Sequence, residues 1–164
     1  ITALTLSGLP TRRFAFEAFL PSDKKERAVV LEELKQETRT IILYEAPHRL
    51  VKTLEELLEK LGDRKISLCR ELTKKHETVF RGSLLEAFSW YKENPPKGEC
   101  VMVLAGRSRE EIEQEARQKW EDMPLEEHME YYMSQGIDKK EAMKLVAKDR
   151  GISKRDVYQA LLKN

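Results

Sequence analysis

Residues 40–49 read TIILYEAPHR, an apolar run that passes directly into a charged turn. The residues that follow have helical spacing, with apolar side chains on one face: Leu50, Val51, Leu54, Leu57, Leu58 and Leu61. Pro47 suits the first turn of a helix, and Gly62 suits the C-terminal cap. The stretch therefore predicts a buried strand over residues 40–44 and a helix from about Pro47 to Leu61.

A second apolar run passes into charged residues in the same way. Residues 65–69 read KISLC, and residues 70–75 read RELTKK. In an open α/β sheet, ligands bind in the crevice outside the carboxyl ends of the strands. Residues 44–49 and 70–75, which we call the two charged hexads, therefore mark a candidate site.

Strands alternate with helices along residues 14–106, which predicts an α/β layer. The other predicted strands are 14–20, 78–80 and 100–105, and the other predicted helices are 1–8, 83–93 and one capped by Ser22. Residues 100–105 are apolar throughout, so we expect them to form a central strand covered on both sides.

The composition excludes several classes of protein. Lys and Arg number 30 against 29 Asp and Glu, and a net charge of +1 argues against a uniformly basic nucleic-acid binder. No apolar run approaches the roughly 18 residues that span a membrane, and no signal-peptide pattern occurs. Cys69 and Cys100 lie in apolar runs, so we expect reduced core thiols and a cytoplasmic protein. Ile1 begins inside an apolar helical turn, from which we expect a fragment of a longer protein.

The charge pattern changes after Gly106. Residues 107–136 carry four basic against nine acidic residues, whereas residues 137–164 carry eight Lys or Arg against four Asp or Glu. We therefore expect an α/β domain over 1–106, an acidic helical linker over 107–122 and a terminal module over 123–164.

The terminal module has a helix-turn-helix pattern. Asp138 starts one helix, Gly151 ends it, and Ser153 caps the next. The start of the second helix faces nucleic acid in such motifs, which makes Lys154 and Arg155 candidate nucleic-acid-binding residues. An ordinary helical hairpin with solvated lysines is the alternative.

The hexads supply groups for proton transfer and for anion binding. Glu45, His48 and Glu71 are candidate acids or bases. Cationic side chains that suit phosphate or carboxylate are Arg49, Arg70 and Lys74. The alternative is structural ion pairing, for example between Glu45 and Arg70. No metal-ligand spacing, phosphate-binding glycine loop or serine nucleophile motif occurs.

Several spaced motifs together resemble a known family. They are ITAL and SGLP within 1–10, FLP at 19–21, YEAPHR at 44–49, RELTK and ET within 70–78, and GE with a following Val within 98–103. They resemble the ribosomal RNA small subunit methyltransferase I family, in the tetrapyrrole methylase-like (class III) superfamily that depends on S-adenosylmethionine. The resemblance covers essentially the whole chain. It implies the C-terminal α/β domain of that fold, a mixed sheet of about five strands flanked by helices, plus a small all-α helix-turn-helix-like domain.

The resemblance also implies an activity, a cofactor and partners. The activity is 2′-O-ribose methylation of a cytidine in small-subunit (16S) ribosomal RNA by a homodimer. The cofactor is S-adenosylmethionine, and the family's Gly-rich cofactor loop lies in an N-terminal half outside this sequence. Implied cofactor-binding residues are Thr2, Ala3, Tyr44, Glu45, Leu104 and Ala105. With RNA as the substrate, the candidate RNA-binding residues are Lys24, Arg49, Arg70, Lys74, Lys154 and Arg155. Two alternatives are a corrin or porphyrin-precursor methylase and a non-catalytic nucleic-acid-binding dimerisation module.

Overall fold

The computed structural model describes residues 1–162, and the chain divides into two compact units, Ile1–Ser108 and Arg109–Asn164. The first unit contains, in order, α1 (Thr2–Ser7), β1 (Phe14–Phe19), α2 (Lys24–Gln36), β2 (Thr40–Glu45), α3 (Leu50–Leu61), β3 (Lys65–Arg70), β4 (Thr78–Ser83), α4 (Leu84–Glu93) and β5 (Cys100–Leu104). This architecture confirms the predicted mixed sheet of five strands flanked by helices.

The sheet has the strand order β1-β2-β5-β3-β4. β1 and β2 run parallel, and every other neighbouring pair is antiparallel. Glu45 at the end of β2 and Arg70 at the end of β3 both lie opposite Cys100, the first residue of β5. The two charged hexads therefore lie at the same end of the sheet, where β2 and β3 finish, and we call this end the edge of the sheet. Glu45 and Arg70, which the sequence offered as one possible ion pair, lie on strands that β5 separates, and Glu45 pairs with Arg49 instead.

The sheet has an apolar core on each face. Alternate residues such as Leu43, Leu68 and Met102 pack against α2, α3 and α4. On the other face, the residues between them pack against the six-residue α1. The expectation of a covered central strand is confirmed, because Met102, Val103 and Leu104 are all 0% exposed.

A β-bulge interrupts β1 at Ala18, whose φ is 53°, and the pairing with β2 shifts register there. The extra residue allows Phe16 and Phe19 both to contact Tyr44, with ring centroids 5.2 and 5.7 Å apart. Phe14, Phe16, Phe19 and Tyr44 form what we call the aromatic ridge, and each is between 37% and 54% exposed.

The helices that flank the hexads start slightly later than predicted. Asp23, rather than Ser22, caps α2, because its carboxylate accepts hydrogen bonds from the backbone N–H groups of Lys25 and Glu26. The hydroxyl of Ser22 instead accepts a hydrogen bond from Arg49. The helix predicted from Pro47 begins at Leu50, after a turn over residues 46–49.

The second unit is helical in its described part. Its helices are α5 (Arg109–Glu121), α6 (Leu125–Met133), α7 (Lys139–Arg150) and α8 (Lys154–Leu162). Met129, Ala142, Val146, Ala147 and Val157 form its core. α5, which falls within the predicted linker over 107–122, contacts α7 of this unit.

The helix-turn-helix-like arrangement lies at α7 and α8. Gly151 takes the left-handed conformation (φ 64°) that ends α7. Ser153 and Asp156 then cap α8 reciprocally, because each side chain accepts the other residue's backbone N–H. Lys154 and Arg155 occupy the first turn of α8. Across residues 1–162, no helix combines the length and the apolar character needed to cross a membrane.

Candidate functional site

The edge where the two hexads emerge contains a cavity of about 750 Å³. It is lined by Tyr44 and Glu45 at the end of β2 and by Ala46 and Pro47 after it, by Glu71 and Lys74 after β3, and by Gly98–Val101 at the start of β5. We call it the edge cavity. Its size falls within the usual range of small-molecule sites, about 300–1,000 Å³.

A second cavity of about 430 Å³ adjoins the edge cavity along the aromatic ridge. Thr2 and Ala3 of α1 line it together with Phe14, Phe16 and Leu72. Tyr44 and Val101 line both cavities. We call this second space the ridge cavity. Three of the predicted cofactor-binding residues, Thr2, Ala3 and Tyr44, therefore lie around one continuous space.

Leu104 and Ala105 lie away from the edge cavity and the ridge cavity. Leu104 pairs with Ile41 and Ile66 at the opposite end of the sheet from Tyr44, and its side chain is 0% exposed. The backbone N–H of Ala105 donates to Lys65 O at 2.9 Å. Neither residue lines the two cavities. Because β5 runs antiparallel to β2, Leu104 and Ala105 lie at the other end of the sheet, and their contact with the cofactor stays a prediction.

The side chain of Glu45 makes structural contacts. Its side chain is 0% exposed and faces α3. Oε1 accepts hydrogen bonds from Ala46 N at 2.8 Å and from Arg49 Nε at 2.9 Å, and Oε2 accepts one from Thr53 Oγ1 at 2.7 Å. The Thr53 hydroxyl in turn accepts from Arg27 at 2.8 Å. The carboxylate therefore holds the β2–α3 turn in place, and its oxygens are occupied by donors.

Glu71 lines the edge cavity and has a left-handed backbone (φ 51°). Backbone strain of this kind is concentrated at functional sites. The backbone N–H of Glu99 donates to the Glu71 carboxylate at 2.9 Å and, as the main cause, lowers its pKa. Lys74 lies between Glu71 and Glu99, at 3.3 and 3.1 Å. Glu71 is therefore an ionised anchor for Lys74 and for the loop that precedes β5.

The other predicted residues of the first unit lie around this edge. His48 is in the β2–α3 turn, and within residues 1–162 no hydrogen bond involves its ring. Arg70 donates to Thr78 Oγ1 and to the Lys97 carbonyl. Lys24 lies on the other face, at the start of α2, beside Arg49 in a groove between α2 and α3.

Both cysteines are free and buried, which confirms the expectation of reduced core thiols. Burial raises the pKa of Cys69, and it raises the pKa of Cys100 to about 11. Cys100 lines the edge cavity, but its thiol is protonated at neutral pH and is a poor nucleophile.

Sequence reasoning missed a buried cluster in the second unit. The His128 ring is 0% exposed and stacks on Trp120 with centroids 4.0 Å apart. Its Nδ1 accepts from Arg150 Nε at 3.1 Å, and its Nε2 lies 3.3 Å from Asp149. Burial lowers the pKa of His128. These four residues belong to α5, α6 and α7, so only the packing of the three helices brings them together.

Sequence reasoning also missed Thr53 and Val101. Thr53 is a hydroxyl residue within the apolar face of α3, which is a usable signal for a buried polar contact. Val101 is an ordinary strand residue, and its position between the two cavities depends on strand order.

The sequence profile of Tetrapyrrole (Corrin/Porphyrin) Methylases matches residues 1–87. The chain belongs to the tetrapyrrole methylase family. It is 46% identical over 98% of its length to ribosomal RNA small subunit methyltransferase I of Bacillus subtilis, and 48% identical over 96% to the protein of that name from Halalkalibacterium halodurans. The Synechocystis protein of that name is 41% identical over 99% of the chain. The chain spans about half the length of these relatives: 54% of the Bacillus protein, 54% of the Halalkalibacterium protein and 57% of the Synechocystis protein.

Among solved structures, this tetrapyrrole methylase family chain is similar to a cobalamin biosynthetic enzyme, cobalt precorrin-4 methyltransferase. The TM-score is 0.48 at 15% identity, over 63% of this chain and 46% of that chain.

Tetrapyrrole methylases depend on S-adenosylmethionine. The described residues fit part of that molecule. The ridge cavity offers exposed aromatic faces at Phe16 and Tyr44, which suit a flat base or a sulfonium cation. The edge cavity offers the carboxylates of Glu71 and Glu99, which suit an ammonium group and here pair with that of Lys74. The donor set therefore agrees with the cofactor of the family.

Proposed function

We propose that this chain is part of an S-adenosylmethionine-dependent methyltransferase that acts on the 2′-hydroxyl of a cytidine in small-subunit (16S) ribosomal RNA. The observation that carries the proposal is 41–48% identity, over nearly the whole chain, to proteins named ribosomal RNA small subunit methyltransferase I. The resemblance of the motifs supports the finer statements: the cytidine, the 2′-hydroxyl, a homodimer and a cytoplasmic location.

Thr2, Ala3 and Tyr44 would hold the cofactor in the ridge cavity, with Glu71 at its polar end. S-adenosylmethionine supplies an activated methyl group on a sulfonium. The residues around the cavity would contribute chiefly by position, because a ribose hydroxyl reacts only when it is aligned with the methyl group. Tyr44 is well placed for this role, since Phe16 and Phe19 fix its ring from two sides.

Glu45, His48 and Glu71 remain the candidates for a proton acceptor, and their surroundings rank them. Three donors occupy Glu45, and a backbone N–H lowers the pKa of Glu71. Of the three, His48 has a ring without a hydrogen bond in the described part of the chain, but it lines neither the edge cavity nor the ridge cavity. Candidate RNA contacts are Lys24, Arg49, Arg70, Lys74, Lys154 and Arg155.

The proposal is tested by titrating S-adenosylmethionine into the purified full-length protein in a calorimeter. Tyr44→Ala is expected to weaken binding about 10-fold, because an aromatic contact of this kind contributes about 1–2 kcal/mol. Leu85→Ala is the matched control, since Leu85 is 51% exposed on α4 and lines neither cavity. A full-length protein that ignores S-adenosylmethionine contradicts the proposal and favours the non-catalytic binding module.

The substrate is tested separately with tritiated methyl donor and small ribosomal subunits. Digestion of the product to nucleosides is expected to give labelled 2′-O-methylcytidine. The name of the matching family favours one second candidate, a methylase of corrin or porphyrin precursors. Label transferred to a tetrapyrrole precursor and not to ribosomal RNA supports that candidate instead.

A further inference from the structure

A groove of about 350 Å³ runs between α2 and α3, on the sheet face opposite α1. We call it the α2–α3 groove. Its lining includes five cationic side chains, Lys24, Arg27, Arg49, Lys52 and Lys60, against two carboxylates, Glu56 and Glu59. The groove is therefore cationic in a chain whose total charge is only +1.

The two arginines of the groove are held in fixed orientations by buried groups. Arg49 Nε donates to Glu45 at 2.9 Å, and Arg27 donates to Thr53 at 2.8 Å and to Glu56 at 2.6 Å. The Thr53 hydroxyl donates to the same Glu45 carboxylate at 2.7 Å, so one buried acid positions both guanidinium groups. Preorganised guanidinium groups match the planar geometry of a phosphate.

The lysines of the groove are available for a ligand. Lys24 and Lys52 are exposed, and within residues 1–162 neither makes an ion pair or a side-chain hydrogen bond. Lys60 has only a 3.7 Å contact with Glu59. α2 and α3 also both begin near this groove, at Lys24 and Leu50, and helix N-termini favour anions.

We propose that the α2–α3 groove binds the phosphate backbone of an RNA strand. The identity of the ligand as RNA rests on the proposed function. No aromatic side chain is among the described residues that line the groove, so the groove lacks a surface for base stacking. Its fixed arginines and free lysines instead match contacts to phosphate, which supply affinity without sequence recognition. In this arrangement Glu45 and Thr53 are positioning residues for the arginines.

The test compares two double variants of the full-length protein that change the net charge equally. Lys24→Glu with Lys52→Glu alters the groove, and Lys35→Glu with Lys65→Glu alters exposed lysines outside it. Binding to small-subunit ribosomal RNA is measured by filter retention over a series of KCl concentrations. Calorimetry with S-adenosylmethionine and a thermal melt are run on the same samples.

The groove variant is expected to bind RNA at least about 10-fold more weakly near ~0.1 M salt. Its log–log salt slope should fall in magnitude by about 1.4–1.8, as expected for two lost phosphate contacts. The control should stay within about twofold of wild type, and both variants should retain S-adenosylmethionine binding and melting temperature.

Equal RNA binding by the groove variant and the control overturns the assignment of the groove and leaves the proposed function intact. A wild-type protein that binds S-adenosylmethionine but no ribosomal RNA overturns the groove and the RNA substrate together. A wild-type protein that binds RNA through the groove but ignores S-adenosylmethionine supports the groove and contradicts the methyltransferase proposal.

Discussion

Thr53→Val tests whether the buried network around Glu45 stabilises the first unit. Valine has nearly the shape of threonine but lacks the hydroxyl, which donates to Glu45 at 2.7 Å and accepts from Arg27 at 2.8 Å. Hydrogen bonds to charged groups contribute about 1.5–3 kcal/mol each. Glu45 is 0% exposed and loses one donor outright, whereas Arg27 is 15% exposed and keeps Glu56. We therefore expect the free energy of unfolding to fall by about 2–3 kcal/mol.

The measurement is urea denaturation followed by circular dichroism, with Thr53→Ser as the control. Serine keeps the hydroxyl and loses one buried methyl group, which costs about 0.8 kcal/mol. In a thermal melt, the valine variant should lose roughly 8–20 °C at the transition of the first unit. If the valine variant is as stable as the serine variant, the reasoning is refuted, because the hydrogen bonds of the hydroxyl would then add no stability.

Three further outcomes follow from the site and the second unit. Gly98→Ala should weaken S-adenosylmethionine binding measured by calorimetry. A Cβ there would lie 2.1 Å from Glu71 Oε1, and the φ of +86° disfavours any side chain. Unchanged binding would show that the position of Glu71 does not matter for cofactor binding. Burial lowers the pKa of His128 from 6.5, so the unfolded chain takes up a proton at a higher pH than the folded chain does. The unfolding free energy of the second unit should therefore be highest above about pH 6.5. Below that pH it should fall by up to about 1.4 kcal/mol per pH unit. Trp120 fluorescence melts check this, and His128→Gln should remove the slope. The two buried thiols should react with Ellman's reagent at pH 8 only as fast as the protein unfolds, and rapid reaction of the native protein would contradict their burial.

Local chemistry was sufficient to predict the elements around the hexads. Leucine spacing and Gly62 give the end of α3 at Leu61 correctly, because each acts within one turn of the helix, whereas the predicted start at Pro47 is three residues early. The bulge at Ala18 could not be predicted, since its left-handed backbone is imposed by pairing with β2 and by ring contacts to Tyr44. The strand order could not be predicted either, because pairs such as Ile41 with Leu104 join residues that are far apart in the sequence.

The sequence predicted that the two hexads lie close together, but it did not predict the contacts that each of their residues makes. Adjacent residues of a strand point to opposite faces. Tyr44 therefore faces the two cavities, while Glu45 lies with Leu43 on the face of α3. That alternation is present in the amino-acid sequence, and it is sufficient to assign the two residues to different faces of the sheet. The hydrogen bonds that occupy Glu45 could not be predicted, because they depend on the packing of α2 beside α3.

The position of β5 has a consequence for how the chain folds. The strand that joins the two halves of the sheet is the last one to be synthesised, so β1–β2 and β3–β4 exist first as two separate ribbons. Closing the sheet requires contacts of long sequence separation, which slows folding. Until residue 104 is available, each ribbon exposes an unpaired edge, and such edges promote aggregation. A chain truncated before Cys100 should therefore be recovered as insoluble protein, whereas removal of residues 109–164 leaves the sheet complete.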